Sequence, residues 1–154
     1  MLSAIIPARN SFRDLQVLLT ELVAAAVEGL VRQVLVADPE AVDRTPDLCE
    51  DAGAVLVRGG LAAAAARARA ERLLILPPQI RLNRDWIRTV ADHVGRSDAP
   101  AMIRGEPERG GARAILQPRS LGLIVDRADV IALREPADLA SLRRRLGRRA
   151  VRLG

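Results

Sequence analysis

Few side chains in this sequence can do chemistry, and their spacing narrows what remains. The one cysteine, Cys49, and the one histidine, His93, have no partner of the kinds that build a nucleophile pair, a disulfide within the chain or a Cys-rich metal site. Open α/β sheets place their chemistry where a strand runs out of the core into a loop. Here the apolar run Leu73 to Pro77 opens onto Pro77-Pro78-Gln79. Two imino residues and a neutral amide neither hold a metal ion nor move a proton. Arg81 follows, and a guanidinium can grip a diphosphate directly. Arg58-Gly59-Gly60 sets a guanidinium and free backbone N–H groups at a helix start, which suits a phosphate. A plain Gly-Gly turn is the competing reading.

The elements that must position these groups alternate in type. Leu2 to Pro7 reads as a buried strand stopped by proline, and Ala8-Arg9-Asn10-Ser11 as a polar corner whose Asn10 or Ser11 caps a helix. Leu15, Leu18, Leu19, Leu22 and Ala26 recur with helical spacing, and Gly29 ends that helix. Val31 to Ala37 is a second strand, punctuated by Asp38-Pro39. Thr45-Pro46 starts a helix running to Ala52, with Thr45 as cap and Pro46 at the first helical position. Ala54 to Val57 is a third strand, Leu61 to Glu71 an alanine-rich helix, and Leu73 to Pro77 the fourth strand. Asn83 caps a helix carrying Trp86, Ile87 and Val90 on one side. This alternation with short links predicts an α/β fold, a mostly parallel sheet flanked by helices.

After about residue 95 the order weakens. Residues 97–100 and 105–111 read as loops, 112–117 and 122–125 as strands. A last helix carries Leu139, Leu142 and Leu146 on one face and Arg143, Arg144, Arg145 and Arg148 off it; Ala150 to Leu153 reads as an edge strand. With 154 residues, no internal repeat and no linker, the chain is expected to form one domain. Residues 1–95 would supply the regular strand–helix units and 96–154 a less regular half.

Composition sets further bounds. All 24 basic residues are arginine, the formal net charge is +5, and Phe12 and Trp86 are the only aromatics. Arginine in place of lysine is what a GC-rich coding sequence gives. The charge suits an anionic partner, but single-strand binders interleave aromatic platforms with their basic residues, so no specific nucleic-acid partner is expected. The N-terminus lacks the basic region of a signal peptide, and no apolar run reaches the ~20 residues that span a bilayer. A cytoplasmic protein without transmembrane segments is the expectation.

Taken together, Ile5-Ile-Pro-Ala-Arg-Asn10, Val36-Ala-Asp38, Asp43-Arg-Thr45, the Gly59 turn with its alanine helix, and Arg81-Leu-Asn-Arg-Asp-Trp86-Ile87 resemble the family 2 glycosyltransferases. Their catalytic domain is the nucleotide-sugar-binding GT-A fold. The match is to the family's opening strand and loop, to its Val-Asp-Gly-Gly-Ser-x-Asp-Gly-Thr segment, and to the Arg-Leu-Pro-Pro-x-Trp-Leu that follows its metal motif. The resemblance implies a nucleotide site at Pro7, Arg9, Asn10 and Asp38, with Arg58 nearby and Arg81 as diphosphate candidate. Asp38 has an alternative role as a turn residue before Pro39, and Arg9 and Asn10 as loop and cap.

Two departures qualify it. The family's Asp-x-Asp, which bridges a divalent cation to the diphosphate, falls on Pro77-Pro78-Gln79, so no divalent metal cofactor is expected. The family's Glu-Asp segment near the catalytic base falls on Glu135-Pro136, leaving Glu135 or Asp138 as substitute. The resulting expectation is a degenerate glycosyltransferase-like protein acting by binding a nucleotide, a nucleotide sugar or a protein partner. A metal-independent transferase is one alternative; an arginine-rich peripheral membrane or assembly module is another. The exposed C-terminal sheet edge would allow a homodimer.

Overall fold

The computed structural model describes residues 1–42, 44–107, 120–133 and 138–154. Strands β1 (Leu2–Pro7), β2 (Val31–Ala37), β3 (Val55–Val57), β4 (Arg72–Ile75), β5 (Ala101–Arg104), β6 (Leu121–Asp126) and β7 (Val151–Leu153) form one sheet in the order β3-β2-β1-β4-β6-β5-β7. Among the described residues, β1 pairs in parallel with β2 and β4, β2 with β3, and β5 with β7. Only β6 runs against its neighbours, β4 and β5. The chain winds from β1 out to β3, then returns to place β4 on the other side of β1. The topological switch therefore lies between β1 and β4, where such sheets open a crevice at the strand C-termini.

Helices cover both faces because the central strands are apolar on both. Leu2, Ala4 and Ile6 of β1, with Leu74 of β4 and Leu76 just after it, pack on α1 (Phe12–Val27) and α4 (Trp86–Arg96) through Leu15, Leu18, Leu22, Trp86 and Val90. Ile5, Leu73 and Ile75 face the other way, toward α3 (Leu61–Arg67), α5 (Arg127–Ile131) and α6 (Leu139–Leu146). Helix α2 (Thr45–Ala52) joins β2 to β3 and ends at Gly53, whose φ of 67° is left-handed. No described helix is long and apolar enough to cross a membrane.

Several expectations shift when tertiary contacts enter. Ala25, not Ala26, completes the buried face of α1. Helix α2 is capped at Arg44 instead of Thr45, which is buried as its first residue. Asn83 serves one step before the cap: its Oδ1 accepts from the Asp85 N–H, and Asp85 is the N-cap of α4. The alanine helix stops at Arg67, short of Glu71, because strand side chains claim its next amides. Ser3 Oγ accepts from Ala70 N–H at 3.1 Å and Gln33 Oε1 from Arg69 N–H at 2.9 Å. Strand β5 and helix α5 are additions to the sequence reading. The strand expected over 112–117 lies outside the described residues, as do 108–111 of the expected loop.

The segment leaving β4 is held on every side. Leu76 N–H donates to Ile5 O at 3.0 Å, extending the β1–β4 ladder, and Ile80 N–H closes a turn onto Pro77 O at 3.0 Å. Ile80 is fully buried against two glycines: a Cβ on Gly105 would sit 2.9 Å from Ile80 Cγ1, and one on Gly122 would sit 2.6 Å from Leu76 Cδ2 and 3.2 Å from Ile75 O. Gly122→Ala should therefore cost about 1–3 kcal/mol by overpacking. The check is a lower urea midpoint with an unchanged slope; an unchanged midpoint would show the corner to be loosely packed.

Candidate functional site

Above the switch point lies an open depression of about 500 Å³. Pro7, Ala8, Arg9 and Ser11 after β1 form one wall and Ala37 with Pro39 at the end of β2 another; Gly60 and Leu61 at the start of α3 complete that side. Its remaining wall is Pro77, Pro78 and Gln79 after β4, together with Asp138 and Leu139 at the start of α6. Backbone bonds beyond the strands hold the loops in place: Ala8 N–H to Ala37 O at 2.8 Å and Asp38 N–H to Val57 O at 3.0 Å. The first loop turns sharply at Asn10, whose φ is 49°, and Ser11 Oγ donates back to Arg9 O at 2.8 Å. Ser11 is the N-cap of α1 but makes no side-chain cap bond. Below this loop, the Arg44 guanidinium lies 5.5 Å over the Phe12 ring.

The structure gathers some of the sequence-derived candidates and separates others. Pro7, Arg9 and Asp138 share the depression. Asp38 is 1% exposed, and its Oδ1 accepts from Glu40 N–H at 3.0 Å, so its carboxylate closes the turn at Pro39. Arg58 donates to Ala41 O at 3.1 Å, bracing the β2–α2 connection. Arg81 donates to Asp14 Oδ1 at 2.6 Å and to Ile80 O at 3.1 Å, tying the corner after β4 to the first turn of α1. Asn10, Asp38, Arg58 and Arg81 are thus not among the residues lining the depression. Glu135 lies outside the described residues. Sequence reasoning read Gly60 within the Arg58-Gly59-Gly60 turn but passed over Pro39, Leu61 and Leu139 as site residues; each lies just past a strand or opens a helix, and that placement was their only signal.

Electrostatically the depression is sparse. Arg9 is exposed and meets Glu40 at 3.5 Å, an exposed pair that is weak and easily exchanged for a ligand. Asp138 is the single carboxylate among the described lining residues. Its Oδ1 accepts from Ser141 N–H at 2.7 Å as the N-cap of α6. That backbone bond, with the Ser141 side chain and the nearby Arg144 charge, holds the Asp138 carboxyl below its ordinary range. These residues do not fit a divalent cation, which needs several oxygen ligands including carboxylates. Pro77 and Pro78 carry no side-chain oxygen, and Gln79 offers a neutral amide.

A second carboxylate stands behind the corner. Glu21 of α1 is half-buried, with Oε2 lacking a hydrogen-bond partner among the described residues. Burial raises its pKa, against the pull of the Leu82 backbone N–H and the Arg81 charge. A carboxyl with a raised folded pKa stabilises the fold below its unfolded pKa and loses that contribution as pH rises through the folded value. Glu21→Gln should therefore gain stability over wild type near pH 7, and the gap should close below about pH 4, the ordinary glutamate range. Urea midpoints across that range check this, and a gap independent of pH would contradict it.

No protein-family model matches the sequence, and no curated protein does. Solved structures do match. Glucosyl-3-phosphoglycerate synthase from Mycobacterium tuberculosis, in complex with Mn2+, uridine-diphosphate (UDP) and glucosyl-3-phosphoglycerate, has a TM-score of 0.67 at 17% identity, covering 100% of this chain and 70% of that one. Mannosyl-3-phosphoglycerate synthase from Rubrobacter xylanophilus has a TM-score of 0.66 at 17% identity, covering 99% and 64%. A further mycobacterial protein has 0.64 at 19% identity, covering 100% and 66%. The likeness is one of fold. This chain has the α/β architecture of GT-A glycosyltransferases, with the depression at the strand ends where its sheet reverses.

Proposed function

We propose that this chain is a degenerate glycosyltransferase-like protein that binds a nucleotide or nucleotide sugar in the β1–β4 depression, without a divalent cation and without efficient sugar transfer. The observation that carries this reading is the lining itself. The loops after β1, β2 and β4 frame an open cleft at the switch point, yet the β4 loop brings Pro77, Pro78 and Gln79 where charge would be needed. The M. tuberculosis synthase of the same fold has been solved with UDP, alone and with Mn2+. A base and ribose need only shape, backbone groups and a few polar contacts, which Pro7, Arg9, Pro39 and the start of α3 supply. Transfer requires more: the departing diphosphate must have its charge offset, and an acceptor hydroxyl must lose a proton.

Neither requirement is well met. Arg58 and Arg81 would have to leave Ala41 O and Asp14 to reach a diphosphate. Asp138 lines the cleft, but a carboxylate held below its ordinary pKa is a weaker base. Its role is to start α6. A direct displacement assisted by Asp138 and an arginine is the metal-independent alternative, and turnover assays distinguish it.

Titration calorimetry with UDP and GDP should show binding of at least one nucleotide, with equal affinity in Mn2+ and in chelator. Arg9→Ala should weaken it about tenfold, as loss of one charged hydrogen bond does. UDP-glucose incubated with the protein should release no UDP above the buffer rate. Metal-stimulated release would overturn the impaired reading; no heat with any nucleotide would overturn nucleotide binding.

A further inference from the structure

A second cavity, of about 440 Å³, lies on the opposite wing of the sheet, and it shares no lining residue with the depression. Its floor follows from strand register. Met102 of β5 pairs with Leu123 of β6 and with Arg152 of β7, while Arg104 pairs with Leu121. Residues two apart on a strand share a face. Met102, Arg104, Leu121 and Arg152 therefore point to one side, toward α6, which adds Arg143; Leu153 closes the end. On the neighbouring parallel strands Arg104 lies two residues beyond Met102, the partner of Arg152, so the two arginines sit diagonally on one face.

The charged side chains described in this cavity are all of one sign: three guanidinium groups and no acidic side chain, with Gly154, the last residue of the sequence, at its edge. The guanidinium groups of Arg104, Arg143 and Arg152 have no hydrogen-bond or ion-pair partner among the described residues. Some arginines elsewhere in the fold are committed to acidic partners: Arg72 to Asp98 and Asp126, Arg81 to Asp14, Arg127 to Glu71. The contrast runs even within the basic stretch of α6. Arg144 donates to Ser141 Oγ and Arg145 to Ala132 O, while Arg143 alone of the three lines the cavity. Uncompensated like charges held together repel, and an anion relieves that repulsion. Met102, Leu121 and Leu153 give the same cavity an apolar wall.

We propose that this cavity binds an amphipathic organic phosphate, the phosphate held by Arg104, Arg143 and Arg152 and an apolar portion set against Met102, Leu121 and Leu153. A phosphate monoester presents three terminal oxygens and more charge than a carboxylate, matching three forked donors better. The site is independent of the nucleotide reading and stands or falls separately.

Octyl phosphate is the test probe, with octanoate and octyl glucoside as charge-changed controls. Calorimetry should show octyl phosphate binding more tightly than octanoate, no octyl glucoside binding, and weakening by salt. Arg104→Gln combined with Arg152→Gln should weaken octyl phosphate about tenfold or more, since two charged hydrogen-bond donors are lost. Arg144→Gln should leave it unchanged, and UDP affinity should be unaffected in either variant. Far-ultraviolet circular dichroism confirms that the variants, all at exposed positions, remain folded. Co-sedimentation with phosphatidylcholine vesicles containing phosphatidic acid distinguishes the sources of the phosphate: sedimentation identifies a lipid headgroup, and its absence with octyl phosphate bound identifies a soluble phosphate ester. Octanoate binding as tightly as octyl phosphate, or equal loss in Arg144→Gln, would overturn the proposal.

Discussion

The way the chain leaves β4 constrains everything around it. A strand buried on both faces must surrender its ladder without leaving polar backbone stranded, and two successive prolines remove the donors that would need partners. The one remaining donor at the junction, Leu76 N–H, is satisfied by Ile5 O, and Ile80 is driven into a slot that only glycines at 105 and 122 leave open. The Glu106 N–H to Arg81 O bond at 2.6 Å and the Arg81–Asp14 ion pair fasten the far side. The result is a rigid, uncharged lip on a cleft that the topology would otherwise equip for charge.

That lip redistributes the work of the arginines. In a basic chain the first expectation is that cationic side chains gather at the cleft. The fold instead uses Arg58, Arg72, Arg81 and Arg127 as braces, each donating to backbone carbonyls that a loop would otherwise expose. Arg9 is left at the cleft beside a weak partner, and three arginines from β5, β7 and α6 line a cavity across the sheet. Two pockets with different linings follow: an open depression with few charged side chains, and a cavity lined by three arginines with one apolar wall.

Much of the first half of the fold was legible because its signals are local. Strands β1 and β2 occupy the expected residues, the apolar stripe of α1 differs by one alanine, and Gly29 and Gly53 stop their helices with left-handed backbones. What eluded sequence reasoning depends on distant partners. Helix α3 ends where Gln33 and Ser3 take its amides, and α5 forms where Arg127 reaches Ala68 O and Glu71. Strand β5 has only four residues, too few to show a periodic signal between the loops read at 97–100 and 105–111. At the site, Pro7, Arg9 and Pro77 to Gln79 were legible as positions at strand ends, and Asp138 only through the family resemblance, as a substitute base. That Asp38, Arg58 and Arg81 are spent on a turn and two braces was not, since an ionisable side chain looks the same in sequence whether it faces a ligand or a carbonyl.

The central claim is that this cleft handles a nucleotide without a coordinated cation, and Mn2+ electron paramagnetic resonance tests it most directly. Adding the protein to a Mn2+ and UDP mixture should leave the free Mn2+ signal where UDP alone sets it. A further stoichiometric loss of signal on adding protein, absent without UDP, would mean that a metal is held at the lip and would contradict the account.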